Sequence, residues 1–186
     1  MTTPESQIDP AERMRIFEER ILPESGMMEA ASHERPKAVV LAGQPGAGKG
    51  SLARATYAEF RGDVVSIDPD ELREKHPFLD RFRSEHPYSW PQDTHPDARA
   101  WAVDLRAAAV DARKNIIIDT TLSNGNDAVA LVKELQAKGY DIEIRAVAAH
   151  RIESELGVER RFSDRLDIEG HGRYVPETYR NGVYRD

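Results

Sequence analysis

The chain has 186 residues, with 26 Lys and Arg against 33 Asp and Glu, a formal charge of −7, 39% hydrophobic residues and no cysteine. This balance describes a core-forming globule. It excludes disulfides, thiolate catalysis and cysteine-ligated zinc, and it offers no basic footprint for nucleic acid or an anionic membrane. No apolar run reaches membrane-spanning length, and the start MTTPESQIDP does not resemble a signal peptide, so the expected compartment is the cytoplasm.

Taken in chain order, the sequence reads as one domain over 1–186, with an N-terminal helix and connector over 1–34 and a core over 35–186. Residues 10–22, PAERMRIFEERIL, space Met14, Phe17, Ile21 and Leu22 on one helical face, with Pro10 in the first turn and Pro23 as the stop. KAVVLA, 37–42, is a short continuous apolar run of the kind that forms a strand covered on both faces. VVSI (64–67), IIID (116–119) and IEIRAVAA (142–149) are three further buried-strand candidates. Helical patterns run from the first strand's turn to about Phe60, over 97–114, and through DAVALVKELQAKG, where Ala128, Leu131, Val132 and Leu135 share a face and Gly139 suits the C-cap. Alternating strands and helices predict an α/β fold, a parallel sheet flanked by helices with right-handed crossovers. Ligands of such sheets sit at the carboxyl ends of the strands, which gives weight to 43–51, Asp68, Asp70 and 119–123.

GQPGAGKGS, residues 43–51, follows a strand and opens a helix. Glycines at 43, 46 and 48 let backbone N–H groups turn toward phosphate oxygens, the helix N-terminus adds partial positive charge, and Lys49 can reach the β and γ phosphates. ATP-binding candidates are therefore Gly43, Gln44, Pro45, Gly46, Ala47, Gly48, Lys49, Gly50 and Ser51. The usual Mg²⁺-ligating hydroxyl directly after the lysine is replaced by Gly50 and arrives one residue late, at Ser51. Loops similar to that of adenylate kinase share this feature. Asp119, ending an apolar strand, stands where a magnesium-binding aspartate is expected. Ser51 and Asp119 are thus the metal candidates. In VVSIDPDELREKHP, Asp68 suits an N-cap before Pro69, which leaves Asp70 as the carboxylate for general-base work. The six histidines lack metal-ligand spacing, and His76 reads as a structural residue at the end of a short helix. Tyr88, Trp90 and Trp101 can either roof a pocket or pack in the core.

GQPGAGK, IDPDELREKHP, IIIDTTLSN, AKGYDIEIRAV and LGVERRF…GRYVP, in this order, resemble the zeta toxin family of bacterial toxin–antitoxin kinases over about residues 12–182. The resemblance implies a P-loop NTPase-like kinase that uses ATP and Mg²⁺ to phosphorylate a hydroxyl of a nucleotide-sugar such as UDP-N-acetylglucosamine, with a small helical antitoxin as partner. It also implies roles for individual residues: Asp70 as base, Lys49, Arg161 and Arg173 on the transferring phosphate, and Asp119, Thr121 and Ser123 toward the substrate. Ser123 and Val103 stand where many members carry an arginine and a substrate-binding glutamate. Those two departures leave open a kinase for another nucleotide (NAD-type), nucleoside or antibiotic, or a catalytically impaired ATP-binding module.

Overall fold

A computed structural model describes residues 8–122 and 124–177. The elements are α1 (Pro10–Ile16) running through a π-helical turn (Phe17–Ile21) into α2 (Leu22–Glu24), then β1 (Lys37–Gly43), α3 (Lys49–Phe60), β2 (Val65–Ile67), α4 (Pro69–Arg73), α5 (Leu79–Glu85), α6 (Trp90–Asp111), β3 (Ile116–Asp119), α7 (Gly125–Ala137), β4 (Asp141–Val147) and α8 (Arg151–Glu169). The four strands are parallel in the order β2-β3-β1-β4, with Leu41 opposite Asp119 and Gly43 opposite Val147. β1 and β3 lie in the middle of the sheet, so their apolar runs are covered on both faces. Val39 and Leu41, with Ile117, pack against Leu52, Ala53 and Phe60 on the α3 side. Ala38, Ile116 and Ile118 join the larger cluster formed with Ile16, Phe17, Ile21, Trp101, Leu105 and Leu135. All four carboxyl ends therefore open on one side of a three-layer sandwich. Among the described residues no helix is long and apolar enough to cross a membrane.

Three local expectations are corrected. The first concerns the N-terminal helix. The Leu22 N–H reaches back five residues to the Phe17 carbonyl, a widened turn that rotates the apolar face: Ile16, Phe17 and Ile21 are buried and Met14 is 49% exposed. Pro23 lies inside the final turn, which ends at Glu24. Second, α6 starts at Trp90, not 97, and holds Pro96 in its interior. The buried stripe Trp90, Thr94, Ala98, Trp101 and Leu105 outweighs the hydrogen bond a proline forfeits. Third, β4 is a half-exposed sheet edge and not a buried strand. Arg145, on the face toward α3, donates to both carboxylate oxygens of Glu59 at 2.7 Å, to Glu143 at 2.6 Å and to Thr56 Oγ1 at 2.9 Å, tying α3 to the edge. Arg145, with Lys37, holds the half-buried Glu143 carboxyl down to about 2.

Trp101 and Trp90 are core residues, 0% and 4% exposed. Trp101 Nε1–H donates to the Arg13 carbonyl at 3.0 Å, fastening α1 to α6. Trp101→Ala should lower stability by about 3–5 kcal/mol, read as a fall in the urea midpoint, because a fully enclosed indole leaves a cavity. A loss below 1 kcal/mol would contradict this placement.

Candidate active site

The strand ends frame a cleft of about 840 Å³. One wall is the loop after β1 and the start of α3. Gln44, Pro45, Gly46, Gly48, Lys49, Gly50 and Ser51 line the cleft, whereas Gly43 and Ala47 shape the loop without facing it. The loop is anchored from behind by the β4–α8 segment. Gln44 Nε2 donates to the Ala149 carbonyl at 2.6 Å, and the Ser154 hydroxyl donates to the Pro45 carbonyl. Gly46 has φ +82°, and a Cβ there would run into the Ser154 carbonyl. On the facing helix, a Cβ at Gly157 would stand 2.5 Å from the Gly46 oxygen. Two glycines back to back allow α8 to brace the loop.

Lys49, the first residue of α3, donates to the Asp119 carboxylate and to the Thr120 carbonyl at 3.3 Å. Burial, then the neighbouring Asp68 charge, pushes the Asp119 carboxyl up, and Lys49 opposes them. Asp68 caps α4 by accepting from the Asp70 N–H at 2.8 Å, as its sequence context predicts, and burial pushes its carboxyl up as well. Asp70 is freer, 43% exposed, and accepts from two arginines: Arg73 on its own helix and Arg173 beyond α8. Arg161 also lines the cleft; burial, then the Arg165 charge, pulls its guanidinium pKa down, and the Asp68 and Asp119 charges oppose them. Arg160 pairs with Asp164 at 3.6 Å outside it, which separates the two adjacent arginines by face. Thr121 lines the cleft beside Asp119, and Ser123 lies outside the described residues. Val103 lines the far wall; Asp104 does not.

The Ser51 hydroxyl accepts from Arg54 Nη2 at 3.1 Å, along α3. Gly50 has room: an added Cβ would meet nothing nearer than Arg54 Nη1 at 3.8 Å. The aromatic residues sit behind the site and do not roof it. Trp90 Nε1–H donates to the Gly172 carbonyl at 3.0 Å, and Tyr88, Phe162 and Tyr174 pack ring on ring, so together they hold the segment that carries Arg173 to Asp70. Sequence reasoning missed Arg73, His95, Arg99 and Arg106, which complete the far half of the cleft. Arg73 was signalled only by its i,i+3 spacing from Asp70.

A Gly-rich loop between a central parallel strand and a helix, with a lysine at the helix start and carboxylates on the adjoining strand ends, defines a P-loop kinase-like fold. The zeta toxin family model matches residues 25–186, and the chain belongs to that family. It is 30% identical over 129 residues to Toxin zeta of Enterococcus hirae, covering 69% of this chain and 45% of that protein. The chain thus spans less than half the length of that relative. Its fold resembles the structure described for the PezAT chromosomal toxin–antitoxin system of Streptococcus pneumoniae, with TM-score 0.79 and 24% identity, over 89% of this chain and 68% of that one. It also resembles the AvrRxo1-ORF1:-ORF2 structure with ATP, with TM-score 0.64 and 16% identity, over 93% and 55% of the two chains.

Proposed function

We propose that the chain is an ATP-dependent small-molecule kinase of the zeta toxin type, acting on a hydroxyl of a nucleotide-sugar and held inactive by a small helical antitoxin. The observation that supports this most is the convergence, on one cleft, of the phosphate loop, a half-exposed carboxylate and arginines from two other segments. ATP would lie over 43–51, with its phosphates against the loop N–H groups and the α3 terminus. The acceptor oxygen attacks the γ-phosphorus, the bond to the β–γ bridging oxygen breaks, and Asp70 takes the hydroxyl proton as ADP leaves. Lys49, Arg161 and Arg173 offset the charge spread over the transferring group. Asp119 and Thr121, with Ser123, would meet the acceptor.

The donor set suits a hard cation. Asp68 and Asp119 are oxygen donors, close enough that the Asp68 charge, after burial, raises the cost of ionising Asp119, and Mg²⁺ takes one or two carboxylates together with phosphate oxygens. Bound Mg²⁺ would neutralise phosphate charge. Among the described residues no group of three or more acidic or histidine side chains gathers to hold a metal alone, so the nucleotide would complete the coordination. Asp119 is the principal candidate ligand. Ser51 would have to leave Arg54 to join it. Asp119→Asn should raise the Mg²⁺ concentration for half-maximal turnover on the order of tenfold, and Ser51→Ala by less than about threefold. The reverse order would make Ser51 the ligand.

Incubation with ATP, Mg²⁺ and a panel of UDP-sugars, nucleosides and NAD, followed by mass spectrometry, tests the reading. One phosphate gained by a single acceptor class supports it. ATP binding without any product would reduce the chain to a binding module.

A further inference from the structure

The two arginines on Asp70 differ in kind. Arg173 comes from the segment after α8 and is 28% exposed, whereas Arg73 sits three residues from Asp70 on α4 with 5% of its side chain exposed. Arg73 also reaches α6: its Nη2 lies 2.9 Å from Nδ1 of His95. A guanidinium only donates, so Nδ1 accepts and His95 carries its proton on Nε2. Burial first, then the charges of Arg73 and Arg99, pulls the His95 pKa down, which keeps the imidazole neutral and its Nδ1 lone pair in place. A planar fork locked at one end by an imidazole presents its other end to Asp70 in a fixed direction.

We infer that Arg73, braced by His95, is the positioning residue for Asp70, holding its carboxylate toward the acceptor when Arg173 turns to the phosphates. This rests on the reading of Asp70 as the base. A merely structural arginine would tolerate any replacement that preserves folding. A positioning arginine would not, because a carboxylate rotated away from the acceptor loses rate and not nucleotide affinity.

Two measurements on the full chain test the inference. Long-range ¹H–¹⁵N spectra should show His95 as the Nε2–H tautomer, titrating below the ordinary histidine range, with both features weakened in Arg73→Met. A mixed or Nδ1–H tautomer in the wild type would overturn the brace. With ATP and an acceptor from the panel, His95→Leu should lower kcat about tenfold with the ATP KM within about twofold. His95→Asn, which keeps an acceptor near the Nδ1 position, should recover most of the loss. Arg73→Lys should not, because one ammonium cannot serve both partners. Equal rates for His95→Leu and His95→Asn, or full activity in Arg73→Lys, would overturn positioning. If the wild type modifies no acceptor, the kinase reading falls and the spectra alone judge the brace.

Discussion

Asp70→Asn should lower turnover by about 10²–10⁴-fold while ATP binds as tightly as before or more tightly. Asparagine keeps the size of the side chain and removes the proton acceptor. It also removes a negative charge beside the phosphate site and with it the ion pair that Arg173 makes with Asp70 in the wild type. Stability should change little, since the Asp70 side chain is 43% exposed and an asparagine oxygen still accepts from Arg73. Isothermal titration with ATP, thermal unfolding and the turnover assay together give the answer. A variant that retains more than a tenth of wild-type turnover would remove Asp70 from the chemistry.

The second large effect is expected at Gly157, a residue with no functional group. In an exposed helix, Gly→Ala is stabilising by about 1 kcal/mol. Here the added methyl would meet the Gly46 carbonyl at 2.5 Å, and relief requires either the phosphate loop or α8 to move. Gly157→Ala should therefore weaken ATP binding about tenfold or more, about 1.4 kcal/mol, without loss of secondary structure. Gly125→Ala provides the contrast, because a Cβ there meets nothing within 4 Å, and ATP affinity should be unchanged. Unaltered ATP affinity in Gly157→Ala would mean that α8 does not brace the loop.

β1 and β3 are legible in the sequence because central parallel strands are apolar on both faces, and KAVVLA and IIID say so directly. β4 reads as another buried strand because Ile142, Ile144 and Ala146 dominate its pattern; only Glu143 and Arg145, which face α3, betray the edge. The start of α6 is hidden by Pro91 and Pro96, whose local preference is overruled by burial of Trp90 and Thr94. Within the site, the loop, Asp70 and Asp119 follow from motif and strand-end position alone. His95 and Arg73 do not, because their meaning lies in a contact between α4 and α6 that no spacing encodes. Gly157 left one trace: an isolated glycine inside ESELGVERRF, costly in a helix unless something packs against it.

The fate of the label in γ-³²P-ATP decides whether this cleft moves the γ-phosphoryl group of ATP onto an acceptor hydroxyl, as proposed. Label is expected in a phosphate monoester of one acceptor, UDP-N-acetylglucosamine or another member of the panel, and is expected to be lost in Asp70→Asn and Lys49→Met. Label that stays in ATP or appears only as inorganic phosphate, with ATP bound and every acceptor present, would contradict the proposal.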